Sequence, residues 1–177
     1  MEGFLFGLVT IALITLLGAM SPGPDVAMIV KNSLTRSRQA GIATSVGIVL
    51  GNVFYVALVL LGLGAILTAS AAVFTVLKYL GALYLIYLGI KMLRAKAEGI
   101  EVSNVGQDSH SSLVRSLREG FLTNLSNPKF MIFLLAVFTQ VISPETPLMA
   151  RVIYGLEIPL VALSWFVVLS FIITMPV

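Results

Sequence analysis

The stretch GAMSPGPDVAMIVKNSL, residues 18–34, places two prolines, a glycine and an aspartate inside a run otherwise apolar enough to cross a bilayer. Pro22 and Pro24 each remove a backbone donor and bar the preceding residue from helical geometry, while Gly23 permits a turn that other residues resist. A helix over Phe4 to Asn32, rising about 1.5 Å per residue, is too long for a straight crossing, so it is expected to break here. Asp25 then falls at the N-cap position of a second half-helix, Val26 to about Asn32, whose amide dipoles point at the break. A helix broken at membrane depth is tolerated only where it is buried in protein or lines a cavity.

The rest of the chain fits a membrane solvent. Its 177 residues are 58% hydrophobic and 11% charged, with a mean hydropathy of +1.04, against about 25% charged residues in an ordinary soluble domain. The long continuous apolar runs favour a helix bundle over a barrel, whose strands alternate. Spans are expected at 4–32, 41–67, 71–93, 119–142 and 152–175, making one five-span unit over 1–177 with a polar cytoplasmic loop at 94–118. His110 reads as a solvated member of that loop. The first span is preceded by Glu2 and no Lys or Arg, which argues against a cleaved signal peptide.

Net charge is +3, but the basic residues sit at the ends of apolar runs, which excludes nucleic acid and makes them membrane anchors. Lys31, Arg36 and Arg38 lie in the first connection, and Lys91, Arg94, Lys96, Arg115 and Arg118 flank the third. The positive-inside rule makes both connections cytoplasmic and puts the N-terminus outside. The chain contains no cysteine, which removes disulfides, thiolate metal sites and cysteine redox chemistry. No nucleophile elbow, phosphate loop or carboxylate–histidine cluster is present, so an enzyme is not expected, nor a cofactor.

A second interruption answers the first. In EGFLTNLSNPKFMIFLL, Asn124, Asn127, Pro128 and Lys129 again stand well inside an apolar run. Counted from the cytoplasmic ends, Asp25 and Lys129 lie at similar depth, roughly 15 Å in on helical rise, so they could meet. Proline-interrupted segments in corresponding places of two halves point to a transporter site between inverted repeats. On that logic the second half is short by one helix.

Asp25, Lys78, Lys129 and Glu157 are ionisable residues inside spans, where a charge costs about 3 kcal/mol on insertion scales. Asp25 reads either as a cap or as a residue that holds an ammonium or a proton. Lys129 reads as a snorkelling anchor or a site member. Lys78 and Glu157 are at similar depth and form either an ion pair or two separate anchors. On the second span Ala40, Thr44, Gly47 and Gly51 make a small-residue face for helix packing, also available for self-association, with Asn52 off that face. Tyr79, Tyr84 and Tyr87 read as packing residues whose hydroxyls can reach a cavity.

Together GAMSPGPD, SRQAG, LKYLGALYLIYLGIKMLR, GFLTNLSNPK and ALSWF resemble the LysE/RhtB family of bacterial amino-acid exporters over nearly the whole chain. The resemblance implies a six-helix inner-membrane protein that moves amino acids out of the cytoplasm against proton entry. By position, Ser21, Pro22, Gly23, Pro24 and Asp25 correspond to the family's first-helix signature, and Asn124, Asn127, Pro128 and Lys129 to its fourth-helix signature. The expected partners are an amino-acid substrate, neutral rather than basic, and the lipid bilayer. A chain ending after the fifth span also leaves open a non-transporting or accessory membrane protein. A metal-ion carrier is disfavoured by the absence of cysteine.

Overall fold

The computed structural model describes residues 2–94 and 113–175, and among these the regular elements are all α-helices: α1 (Glu2–Met20), α2 (Pro24–Thr35), α3 (Arg38–Ala69), α4 (Ala71–Leu93), α5 (Leu113–Leu125), α6 (Pro128–Val141) and α7 (Leu148–Ile173). α1, α4, α7 and the Arg38–Gly62 part of α3 are each long and apolar enough to cross a membrane, and α5 with α6, bent by 61° at a short break, is apolar enough to make a fifth if the bent pair is one span. The polytopic helix bundle read from composition is therefore the fold. The third span matches its expected bounds, 71–93. The first divides into α1 and α2, the fourth into α5 and α6, and α5 begins at Leu113 rather than Glu119. That shortens the polar loop at its C-terminal end; Lys96 and His110 lie outside the described residues.

Lipid replaces water as the outer solvent, so the long helices α1, α3, α4 and α7 are largely apolar all round and sort their faces by shape, while the shorter α2 and α5 carry polar faces. On α1, Leu5, Val9, Leu13 and Leu17 are exposed, while Gly7, Ile11 and Thr15 face the protein. Both stripes follow the four-residue spacing of one helix face. α3 is the hub, packing against α2, α4, α5, α6 and α7. Its small-residue face takes α5: a Cβ on Gly47 would strike the Leu117 carbonyl, and one on Gly120 would strike the Thr44 carbonyl. Such backbone-to-backbone approach is how helices gain dispersion contact when hydrophobicity cannot drive them together. One apolar cluster gathers Ile11, Val56, Phe133, Phe138, Tyr154 and Ile158, and a smaller one joins Ile29, Ile48, Ala162 and Phe166.

Candidate functional site

In an unbroken helix the carbonyls of Ser21 and Pro22 would accept from the amides of Asp25 and Val26. The two prolines prevent this. α1 ends at Met20, and Gly23, in extended backbone, precedes α2 as its N-cap with Pro24 in the first turn. Asp25 is therefore not the cap expected from the sequence but a residue inside the first turn, because proline's fixed φ lets the helix start at Pro24 itself. Its side chain is released for another task. The carboxylate is 9% exposed; Oδ2 accepts from Asn124 Nδ2 at 3.0 Å and Oδ1 is buried without a partner.

The second break is built differently. Asn127 caps α6, its side-chain oxygen accepting from the Lys129 amide at 3.1 Å, and Pro128 follows in the first turn. This diverts the donor that the Leu125 carbonyl would have used in a continuous helix, and the Tyr55 hydroxyl donates to that carbonyl at 2.6 Å. Tyr84 donates to the Lys129 carbonyl at 3.2 Å.

The two breaks face each other. Lys129 Nζ donates to Ser21 Oγ at 3.0 Å, to the Pro22 carbonyl at 3.2 Å and to the Ser21 carbonyl at 3.4 Å. An ammonium from one break thus occupies the carbonyls freed by the other. Asp25 and Lys129 do share a pocket, but among the described residues they make no ion pair, the ammonium bonding the Ser21 and Pro22 oxygens instead. About 40 Å³ of that pocket is open to water centres, room for roughly three waters and too little for a whole amino acid.

Of the residues predicted from sequence, Ser21, Gly23, Asp25, Asn127 and Lys129 line the pocket. Asn124 bonds Asp25, Pro22 lends its carbonyl, and Pro24 and Pro128 start the two half-helices. Sequence reasoning missed Thr15, Phe133 and Phe166 in the lining, and left Asn52 without a role. The available signal was spacing: Asn52 continues the buried stripe Ser45, Ile48 and Val56 on α3, about 100° round the helix from the small-residue face.

A second polar cluster lies where α2 meets α5. Arg36 clasps Glu119 with two parallel bonds, Nη1 to Oε2 at 2.7 Å and Nη2 to Oε1 at 3.0 Å. Asn32 Nδ2 adds a bond to Oε2 at 3.1 Å, and Arg115 Nε one to Oε1 at 3.1 Å. Arg36 is therefore more than a headgroup anchor. Arg38 is likewise tied, donating to Thr174 Oγ1 at 2.7 Å and lying over the Phe171 ring at 4.8 Å. The ion pair contemplated between Lys78 and Glu157 is not formed among the described residues: Lys78 is on α4, beside α6 and α3, whereas Glu157 is on α7, which packs on α1, α2 and α3.

The model of the LysE type translocator family matches residues 16–177, a range that holds both breaks. A threonine efflux protein of Salmonella typhi is 32% identical over 170 residues, 94% of this chain and 82% of that protein. An uncharacterized membrane protein, YahN, of Escherichia coli is 30% identical over 156 residues, covering 88% of this chain and 70% of that one. A homoserine/homoserine lactone efflux protein of Salmonella typhimurium is 34% identical over 133 residues, 75% of this chain and 63% of the relative. No solved structure matches. With its apolar helices and membrane-protein relatives, this is a multi-pass bacterial membrane protein, and the chain belongs to the LysE type translocator family.

Proposed function

We propose that this chain exports neutral amino acids, such as threonine, homoserine or leucine, across the bacterial cytoplasmic membrane in exchange for protons, with its N-terminus outside. The observation that carries the reading is a carboxylate and an ammonium in one pocket, at the meeting of two helix breaks, that do not neutralise each other by an ion pair. A zwitterion presents the complementary pair of charges. Its carboxylate would draw Lys129 from the Ser21 and Pro22 oxygens and lie near the first-turn amides of α2, where helix ends favour anions. Its ammonium would go to the unpartnered Oδ1 of Asp25.

Asp25 also supplies the coupling. One carboxylate oxygen can hold the substrate's ammonium or a proton, not both. Substrate arriving from the cytoplasm displaces the proton there, and a proton arriving from outside displaces the substrate there. Each cycle then moves one amino acid outward and one proton inward. The small size of the pocket suits a contracted state between the two openings of an alternating-access cycle. Relatives named for threonine and homoserine efflux support the substrate class.

The test is efflux from bacteria preloaded with labelled amino acids, comparing this chain, Asp25→Asn and empty vector, with membrane insertion measured for both proteins. Selective efflux that falls at least about tenfold in the variant is expected, since an amide cannot take up the proton or pair fully with the ammonium. Equal efflux from a well-inserted variant would overturn the assignment of Asp25.

A further inference from the structure

Helical serine and threonine hydroxyls commonly donate to the carbonyl four residues earlier, and Thr35, Thr44, Ser45, Thr75, Ser164 and Ser170 all do so here. Thr15 does not. Its Oγ1 is buried without a partner in a residue only 2% exposed. Asn52 Oδ1 is in the same position, in a residue 1% exposed. Both residues line the pocket that contains Asp25 and Lys129, where the remaining wall is largely apolar: Phe130, Phe133, Ala162 and Phe166.

Their places in the helices make the lack of partners informative. Thr15 follows Ile11 on the buried stripe of α1, and Asn52 stands between Ile48 and Val56 on that of α3. Valine or leucine would suit either stripe and would leave no polar atom unsatisfied. A buried polar atom without a partner is costly, and two of them beside the unpartnered Asp25 Oδ1 in one pocket call for a hydrogen-bonding group that enters with the ligand.

We propose that Thr15 and Asn52 form the subsite that reads the substrate's side chain, selecting a hydroxyl-bearing side chain over its apolar isostere. This rests on the exporter reading of the same pocket. Asp25 and Lys129 face the ammonium and carboxylate, which all amino acids share, so they cannot tell one substrate from another. A hydroxyl both donates and accepts: it donates to Asn52 Oδ1 and accepts from Thr15 Oγ1. An isosteric methyl leaves both protein atoms unpaired, which is the situation in which binding sites discriminate most strongly.

Threonine and valine differ in little besides that hydroxyl, so the ratio of their efflux rates is the readout. In the unmodified chain threonine is expected to leave at least about tenfold faster than valine, and Thr15→Val and Asn52→Leu should each reduce that ratio about tenfold, chiefly by slowing threonine. Thr15→Ser, which keeps the hydroxyl, should preserve it. Purified protein gives an independent measure: threonine should raise its melting temperature more than valine does, and the difference should vanish in Thr15→Val. A ratio unchanged in both variants, or threonine and valine reduced equally, overturns the subsite while leaving Asp25-dependent export in place. If the protein shows neither efflux nor stabilisation by any amino acid, the exporter reading fails and the subsite with it.

Discussion

Glu119 receives donors on both carboxylate oxygens, from Arg36, Arg115 and Asn32, and its bidentate partner Arg36 is only 10% exposed on its side chain. Planar two-point pairing is what guanidinium does best. Removing one partner leaves the other charge in a poorly solvated place. Arg36→Ala or Glu119→Ala is therefore expected to cost about 2–4 kcal/mol, read as a lower melting temperature in detergent. The double variant Arg36→Ala with Glu119→Ala should lose less than the sum of the two single losses, because neither charge is then left without the other. Strict additivity would show that the pair contributes nothing as a pair. At the pocket, residue-scale logic differs: Asp25 and Lys129 are each held by polar neighbours rather than by each other, which leaves both charges able to exchange partners.

At the scale of elements, the bundle depends on where helices can touch backbone to backbone. Gly47 of α3 leaves no room for a Cβ against the Leu117 carbonyl of α5, whereas Gly89 of α4 has nothing within 4 Å of an added Cβ. Gly47→Leu should separate α3 from α5 and destabilise the protein by upwards of about 2 kcal/mol. Gly89→Ala should be neutral or stabilising by up to about 1 kcal/mol through its helix propensity. Thermal unfolding of the two variants side by side checks the contrast; equal effects would refute close packing of α3 on α5. The same approach matters for the site. Asn124 follows Gly120 on α5 and lies against Gly51, so the α3–α5 contact sets how far the Asp25 partner reaches.

For the whole molecule, two helix breaks 108 positions apart in the chain, at Ser21 and Lys129, come to one place. The proposed topology, with the N-terminus outside, would put the α2–α3 connection in the cytoplasm and the α6–α7 connection outside. The chain has no cysteine, so single introduced thiols report orientation without background. Gln39→Cys and Glu145→Cys both fall at exposed positions. An impermeant thiol reagent added to intact cells should label the second and spare the first until the membrane is opened. The reverse pattern would invert the proposed topology.

The sequence by itself determined the solvent, the helical class and the positions of both breaks. These are local or compositional properties: proline's missing donor and fixed φ act on the nearest turn whatever surrounds them, and apolar content decides between lipid and water. Local reasoning also located the charged residues of the pocket, though it misplaced Asp25 as a cap by overlooking that Pro24 can begin α2. Tertiary structure alone decided which groups meet. Asn124 reaches Asp25 across 99 positions of sequence, and Arg36 reaches Glu119 across 83. The pocket roles of Thr15 and Asn52 were hidden for the same reason: in a helix that is apolar all round, lipid gives no hydrophobic contrast between inner and outer faces, so only the packed neighbours show which way a side chain points.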